Sequence, residues 1–450
     1  MKRMRKKMVK NQEYEIEILD IDKSGGGIGR VDNMAVFIPN AVTGDIINTK
    51  IIKLAKNYAI GKLINIVKPS QYRIEGKCNS ADKCGGCSVQ HIDYDFQLKY
   101  KQKQVKDCLE RIGKIQNVNV QPTVGMDNPL HYRNKAQYPI RKVGDKCHIG
   151  FYALKSHNVV NIDQCLIDDI RNTQIINIVR NFLESKNISI YDEETHKGLI
   201  RHLVIRTSRK EILVCLVING KTIPYIEDLI QNLRKIPDIV GIVLNHNKEK
   251  GNVILSEKNT IAYGRDYITE TICGLKFKIS LLSFFQVNII QTEVLYSIVK
   301  DLADLKGTEN VLDAYCGIGT IALCLADKAK KVIGVEVIGQ AVTNAKENAK
   351  TNSIDNVQFV LGKAEDLLLD EKYDLIVLDP PRKGCDVEFL NKIINNAPPK
   401  IIYVSCDPAT LARDVKFISE NGYKVDAVKP VDMFPYTSHV ETVVLMSKIK

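Results

Sequence analysis

The segment Asn310-Val311-Leu312-Asp313-Ala314-Tyr315-Cys316-Gly317-Ile318-Gly319 decides the fold of the C-terminal part of the chain. Its apolar run predicts a strand at 310–314, and the glycines after it precede a helical pattern. Further strands are predicted at 331–336, 357–361, 374–379, 401–405, 424–430 and 440–447. Helical stretches separate all of them but the last two, which predicts a doubly wound, Rossmann-like α/β sheet of seven strands.

The loop after the first of these strands has the composition of a cofactor site. Gly317 and Gly319 let a ligand approach the backbone, and Glu336, at the end of the second strand, is placed to bond ribose hydroxyls. With Ala322 these glycines almost complete a dinucleotide fingerprint, so this loop alone leaves a dinucleotide open. The early Asp313 and the absence of a glycine directly after the strand favour S-adenosylmethionine.

The fourth strand ends in Leu378-Asp379-Pro380-Pro381-Arg382. An Asp-Pro-Pro corner beside the cofactor is typical of methyltransferases that act on bases. Enzymes that methylate an amino group follow the prolines with an aromatic residue, whereas here Arg382 follows them. Cytosine-C5 RNA enzymes often carry a nucleophilic cysteine in this corner, and Cys385 lies beyond it. The corner therefore indicates a base methyltransferase whose nucleophile lies on another strand.

Cys406 is the candidate nucleophile. An apolar run ends at Cys406, and Asp407-Pro408 then opens a helical pattern, since proline fits the first turn of a helix. A helix N-terminus nearby favours the thiolate, and the alternative interpretation of Cys406, the usual one for a cysteine in an intracellular chain, is a small buried hydrophobic residue. A thiolate that adds to C6 of a pyrimidine turns C5 into an enolate-like carbon that can attack a cofactor methyl group.

Such a reaction needs a base to remove the C5 proton, and Glu441 is the candidate. In a seven-stranded methyltransferase sheet the last strand runs antiparallel beside the fifth, so its beginning lies near the fifth strand's end. Glu441 is therefore expected close to Cys406, whereas a glutamate at the start of a strand is by default solvated.

The N-terminal part reads as a basic arm at residues 1–10 followed by a small β-barrel. Short alternating strands are predicted at 14–19, 34–38, 45–53 and 58–66, among five or so in all. Basic residues dot this module, as an oligonucleotide-binding, OB-like barrel requires, and a solvated surface explains them equally well. These residues are Lys23, Arg30, Lys50, Lys53, Lys56 and Lys62.

Cys78, Cys84 and Cys87 lie within ten residues and predict a metal site. A site of four thiolates needs one more ligand, and spacing does not choose among the candidates. These are Cys108, Cys147 and Cys165. A helix predicted at 93–116 puts Cys108 on its apolar face with Leu109 and Ile112, which argues against it. Spacing also leaves zinc and an iron–sulfur cluster open.

Composition bounds the remaining possibilities. With 450 residues the chain should form several domains, and 64 Lys and Arg against 53 Asp and Glu fit a polyanionic partner without requiring one. No apolar run approaches membrane-spanning length and no secretory signal follows the basic start, so we expect a cytoplasmic protein without a membrane partner. In that compartment the 12 cysteines suit metal or catalytic sites better than disulfides.

Together these motifs resemble the RNA uracil-5-methyltransferase family over nearly the whole chain. The matching segments are 283–288, 313–319, 379–384, 405–414 and 432–441. The resemblance implies that Cys406 is the nucleophile and Glu441 the base. It also implies the residues that bind S-adenosylmethionine: Gln286, Tyr315, Glu336 and Asp379. Tyr315 stands where relatives often have phenylalanine.

The barrel resembles a TRAM domain, and Cys78, Cys84, Cys87 and Cys165 resemble the [4Fe-4S] ligand set of the branch acting on 23S ribosomal RNA. The transfer-RNA branch typically lacks both, so the resemblance implies 23S ribosomal RNA as partner, and we expect a monomer. Transfer RNA remains an alternative substrate. A non-catalytic RNA-binding or ribosome-assembly factor is the other alternative, and retention of both Cys406 and Glu441 argues against it.

A multi-domain protein is therefore predicted. The barrel occupies 11–68, a central α+β domain with the iron–sulfur site 69–280, and the S-adenosylmethionine-dependent methyltransferase domain 281–450. Within the central region, the helix at 93–116 is the element that could pack on another domain.

Overall fold

The computed structural model describes residues 8–367 and 371–449, and its first strands close into a barrel. These are β1 (Glu13–Ile21), β2 (Gly27–Val31), β3 (Met34–Ile38), β4 (Ile46–Leu54) and β5 (Tyr58–Lys68). They pair in the order β1, β2, β3, β5, β4, and β4 pairs back with β1. Met8, at the end of the predicted arm, packs in the barrel core, and residues 1–7 lie outside the described residues.

The barrel strand that had no individual prediction is β2. Two of its five residues, Gly27 and Gly29, are glycines, which weaken the alternating pattern. Both positions need glycine, because an added Cβ would come within 2.8 Å of Ile18 at Gly27 and of Ile16 at Gly29. Close packing across the barrel therefore removed the signal that would have marked this strand.

A helix and a second sheet follow the cysteine-rich loop. The elements are α1 (Tyr94–Arg111), β6 (Lys135–Val143), β7 (Lys146–Tyr152), β8 (Val159–Asn161), α2 (Asn172–Ser185), β9 (Ile200–Thr207), β10 (Ile212–Ile218), α3 (Ile226–Leu233), β11 (Ile239–His246) and β12 (Asn259–Gly264). The strand order of this sheet is β12, β11, β10, β9, β6, β7, β8. Among its described strands, β10 and β11 pair in parallel and the other neighbours pair antiparallel.

The C-terminal sheet has the predicted seven strands. A hairpin and a helix precede it: β13 (Tyr267–Ile272), β14 (Leu275–Ser280) and α4 (Ile289–Ala303). The sheet itself alternates strands and helices: β15 (Asn310–Ala314), α5 (Thr320–Ala326), β16 (Lys331–Glu336), α6 (Gly339–Thr351), β17 (Val357–Leu361), α7 (Ala364–Leu367), β18 (Leu375–Leu378), α8 (Val387–Asn396), β19 (Lys400–Ser405), α9 (Pro408–Glu420), β20 (Tyr423–Val431) and β21 (Glu441–Lys448).

The strand order of this sheet is β17, β16, β15, β18, β19, β21, β20. The first five strands run parallel, and β21 is antiparallel to both β19 and β20. The predicted fold class, a barrel followed by α+β and doubly wound α/β parts, is confirmed. No described helix is long and apolar enough to cross a bilayer.

The central and C-terminal sheets share a hydrophobic core. Val204 and Val217 of the central sheet are fully buried in the same cluster as Val311 and Val404 of the C-terminal sheet. The other face of the central sheet packs on α2 and α3. The domain limits at 69 and 280 remain predictions, and the hairpin that lies just before the second of them contributes Phe277 to this shared core.

Helix α1 packs on the C-terminal sheet although it precedes the central one. Val105 and Leu109 are fully buried together with Leu411 and Val415 of α9. The helix ends at Arg111, five residues before its predicted end at 116, and Ile112 is 43% exposed. Ile112 therefore does not share the buried face that the sequence pattern assigned to it.

Replacing Leu109 by alanine should lower the free energy of unfolding by about 2–5 kcal/mol, the usual cost of truncating a fully buried leucine. Ile112→Ala, three residues later, is the matched control, and it should lower the free energy of unfolding by well under half of that amount because Ile112 is largely exposed. Urea denaturation of both variants measures the difference. Equal losses would show that α1 is not anchored by Leu109 against α9.

Candidate active site

Three carboxyl groups lie at the carboxyl edge of the C-terminal sheet. Asp313 and Glu336 belong to the ends of β15 and β16, and Asp379 directly follows β18. Burial raises the pKa of Asp313 well above its ordinary value, and the charges of Asp379 and Glu336 raise it further. Asp379 keeps part of its surface accessible, but burial of its carboxyl raises the pKa to about 7. Such an acidic edge suits a cationic ligand.

The glycine-rich loop leaves room for that ligand. Gly317 has φ 55°, and a Cβ there would meet no atom within 4 Å, so its backbone faces open space. Gly319 has φ 84°, and a Cβ there would come within 2.5 Å of the Phe359 ring. Glu336 accepts hydrogen bonds from the backbone N–H of Gly317 at 3.1 Å and of Ile338 at 2.9 Å. These bonds fix the carboxylate while leaving lone pairs for hydroxyl donors.

The structure places Tyr315 in the loop at this edge and buries Gln286 in the segment before α4. Gln286 is buried, and its neighbour Ser283 accepts a hydrogen bond at 2.7 Å from Asn344 of α6, the helix that follows Glu336. Tyr315 has φ 66° and packs edge to face on Phe389, with ring centroids 5.7 Å apart. The contacts therefore connect the segment that carries Gln286 to α6, whereas Tyr315 lies in the cofactor loop itself.

The pairing of β19 with β21 brings Cys406 and Glu441 together. Ser405 pairs with Thr442, so the same antiparallel register places the next residue, Cys406, opposite Glu441. Glu441 is only 3% exposed, and burial, followed by the charge of Asp379, raises its pKa to about 8. Glu441 is therefore buried rather than solvated, and it lies opposite Cys406 as the predicted antiparallel last strand requires.

The Cys406 thiol is held in its neutral form. Burial raises its pKa to about 11, and the charge of Glu441 contributes in the same direction. The expectation that the start of α9 favours the thiolate was wrong. Burial outweighs any effect of the helix start on the thiol pKa. The start of α9 is capped by Asp407, which accepts hydrogen bonds from the backbone N–H groups of Ala409 at 2.9 Å and Thr410 at 3.0 Å.

Arg382 is the site residue to which the sequence assigned no role. Its positive charge lowers the pKa of both Cys406 and Glu441, against the larger effect of burial. The side chain is exposed at the mouth of the site. The sequence feature that could have identified Arg382 is its position after the two prolines, where a basic residue replaces the aromatic residue of amino methyltransferases.

A separate cavity of about 160 Å³ is lined by the predicted metal ligands. They are Cys78, Cys84, Cys87 and Cys165. Burial raises the pKa of Cys87 to about 12, and Cys84 and Cys78 contribute in the same direction. Gly85 donates a hydrogen bond to the carbonyl of Tyr152 at 2.9 Å, which holds the cysteine loop against β7.

The other two candidates for the fourth ligand lie elsewhere. Cys147 is buried in the core of the central sheet. Cys108 lies on α1 and packs against the core that this helix shares with the C-terminal sheet. Among the described residues no group of three or more His, Cys, Asp or Glu is arranged to hold a single metal ion.

Comparison with known proteins identifies the family. A family described as tRNA (Uracil-5-)-methyltransferase matches residues 93–371 and 365–449, and the TRAM domain matches residues 7–64. The chain belongs to this methyltransferase family. The predicted resemblance and the TRAM barrel are thereby confirmed.

Relatives of the same length carry a matching description. A protein of Clostridium tetani named "Uncharacterized RNA methyltransferase" is 47% identical over 97% of each chain. A protein of Halalkalibacterium halodurans with a similar name is 44% identical, again over 97% of each chain.

A solved structure shares the architecture. Pyrococcus abyssi tRNA (uracil-54, C5)-methyltransferase in complex with S-adenosyl-L-homocysteine is 27% identical, with a TM-score of 0.79. The alignment covers 96% of this chain and 99% of that one. The protein is thus an S-adenosylmethionine-dependent RNA methyltransferase of the uracil-5 family. A cationic sulfonium cofactor agrees with the acidic edge.

Arg382→Gln should slow alkylation of Cys406 by iodoacetamide at fixed pH. Loss of the positive charge raises the pKa of the thiol, and each unit of that rise lowers the thiolate fraction about tenfold. Peptide mass spectrometry of the 401–414 region measures the rate. Lys383→Gln, the same charge change on the adjacent residue, is the control and should alkylate like the wild type. Equal rates in all three proteins would remove Arg382 from the site.

Proposed function

We propose that this enzyme forms 5-methyluridine in RNA with Cys406 as the nucleophile and Glu441 as the base. The observation that carries the proposal is the antiparallel register of β19 and β21, which sets a thiol opposite a buried carboxyl group. Both groups lie near Asp379 of the acidic edge, whose charge raises the pKa of Cys406 and of Glu441. A nucleophile, a base and a methyl-donor site are therefore adjacent.

The reaction follows from the chemistry of these two groups. The Cys406 thiolate adds to C6 of uracil, and the electron pair of the C5–C6 double bond moves to C5. S-adenosylmethionine, when bound, supplies the methyl group that C5 receives. Glu441 then removes the C5 proton, the double bond re-forms and the C6–S bond breaks, which returns Cys406 as thiolate. Both groups must lose a proton before they act, because their pKa values lie above 7.

Positive charge brings both groups toward their reactive forms. Arg382 already lowers both pKa values, and a cationic ligand at the acidic edge offsets the charge of Asp379 that raises them. We propose Glu336 as the ribose ligand, with Gln286, Tyr315 and Asp379 as the other residues that hold S-adenosylmethionine. Substrate and cofactor binding would then also activate the nucleophile and the base.

We also propose that Cys78, Cys84, Cys87 and Cys165 hold a [4Fe-4S] cluster. Their shared cavity of about 160 Å³ supports a group of several atoms. The resemblance of these four positions to a [4Fe-4S] ligand set favours a cluster over a single zinc ion. A bound cluster would join the cysteine loop to Cys165 of the central region. These cysteines are remote in sequence from the catalytic strands, so we assign the cluster a structural or RNA-positioning role.

For the substrate we propose 23S ribosomal RNA, with the enzyme acting as a monomer in the cytoplasm. The four-cysteine cavity supports this choice, because the resembling ligand set belongs to the ribosomal branch. The barrel does not distinguish an enzyme for ribosomal RNA from one for transfer RNA. The alignment with the Pyrococcus abyssi structure covers 96% of this chain and therefore includes the barrel, and the name of that protein specifies transfer RNA. Transfer RNA is therefore the second candidate, favoured by the neighbour and by the name of the family.

Transcripts of 23S ribosomal RNA and of transfer RNA, each made with 5-fluorouridine, test chemistry and substrate together. Fluorine at C5 cannot leave as a proton, so the wild type with S-adenosylmethionine should form a covalent complex stable on a denaturing gel. We expect the complex with 23S RNA. Cys406→Ser should form none, and Cys273→Ser, which changes an exposed cysteine, should behave like the wild type. A complex with transfer RNA alone would reassign the substrate, and one in Cys406→Ser would remove the nucleophile.

Protein purified without oxygen should be brown and contain about four irons per chain, as a cubane cluster requires. Cys165→Ser should lose most of the iron. Cys147→Ser, whose sulfur is buried in the central sheet, should keep it. Metal analysis and visible absorption decide the outcome, and one zinc per chain without visible absorption would exclude the cluster.

A further inference from the structure

The loop at residues 432–440 links β20 to β21 and delivers the chain directly to Glu441. It is held by residues more than 300 positions earlier in the sequence. Its central residue, Tyr436, has φ 65°, a conformation that surrounding contacts must maintain in a residue other than glycine. The contacts that maintain this loop therefore influence the position of Glu441.

Helix α1 holds the first part of the loop through a buried ion pair. Lys101 is fully buried and donates to Asp432 Oδ1 at 2.5 Å and to the carbonyl of Phe434 at 3.1 Å. Tyr94 donates its hydroxyl to Asp432 Oδ2 at 2.9 Å. Lys101 and Asp432 are 331 residues apart, and neither can leave without exposing the other as an unpaired buried charge.

The segment that carries Cys78, Cys84 and Cys87, here called the cysteine loop, holds the second part of the 432–440 loop. The backbone N–H groups of Ser88 and Val89, directly after Cys87, donate to the carbonyl of Tyr436 at 3.1 and 3.2 Å. Ser438 donates its N–H to Ser88 Oγ at 3.1 Å, and Tyr436 donates its N–H to Gln97 Oε1 at 3.1 Å. The segment that carries the cysteines is therefore bonded to the loop that carries the base.

We propose that Ser88, Gln97 and Lys101 are positioning residues for Glu441, so that the region before the central sheet sets the geometry of proton removal. The inference rests on the proposed role of Glu441 as base. Strand β21 starts at Glu441, so its backbone there is positioned by the pairing with β19 and β20 and, on the N-terminal side, by the 432–440 loop. A base must come within hydrogen-bond distance of its proton, and a displacement of about 1 Å can cost about a hundredfold in rate.

Ser88→Ala is the informative variant, because Lys101→Met would leave Asp432 buried without its partner and endanger folding. Single-turnover reactions with uridine RNA separate formation of the methylated covalent adduct from its breakdown. Ser88→Ala should slow breakdown about tenfold while adduct formation stays within about twofold of wild type. Tyr94→Phe, which removes a second contact to the loop, should act in the same direction.

Two controls separate positioning from a general structural effect. Ser88→Thr keeps the hydroxyl and should restore the breakdown rate. Ser256→Ala removes a hydroxyl bonded to backbone at the edge of the central sheet, and should leave both steps unchanged. Melting temperatures of all the variants are measured alongside.

The possible outcomes are distinct. Breakdown slowed selectively in Ser88→Ala and Tyr94→Phe, with rescue by Ser88→Thr, supports the proposal. Equal slowing of both steps, or a lower melting temperature with unchanged breakdown, overturns it. Glu441→Gln in the same assay tests the underlying assignment: if it accumulates no methylated adduct, Glu441 is not the base, whatever Ser88 does.

Discussion

The antiparallel pairing of β21 with β19 is the constraint on which the active site depends. Parallel strands place all their carboxyl ends at one edge, so they reach that edge with their last residues and with the loops that follow them. Because β21 runs the other way, its first residue reaches the same edge and faces Cys406. A parallel β21 would have put Glu441 at the opposite edge, about 20 Å away along the strand.

Burial and like charge determine the chemistry of this edge. Asp313, Asp379 and Glu441 all have raised pKa values, with burial as the first cause. The positive charge of Arg382 lowers the pKa of Glu441 and that of Cys406, against the larger effect of burial. Cys406 and Glu441 are therefore largely protonated at neutral pH, and the positive charge of a methyl donor would act in the direction that lowers both pKa values.

The site is assembled from segments far apart in the chain. Helix α1 buries Leu109 against α9, and the central sheet contributes Val204 to the C-terminal core. The 432–440 loop is bonded to α1 through Lys101 and to the cysteine loop through Ser88. A methyltransferase sheet without these segments would lose the contacts that hold the approach to Glu441.

The sequence by itself determined the seven strands of the C-terminal sheet, the barrel, the cofactor loop and the cysteine motif, because each is carried by residues within a short window. It missed β2, whose glycines hide the alternation, and it extended α1 beyond Arg111. Only the tertiary structure decided the raised pKa of Cys406, the influence of Arg382 and the Lys101–Asp432 ion pair. These depend on burial and on charges brought together from distant positions, and a pair separated by 331 residues leaves no mark on local sequence periodicity.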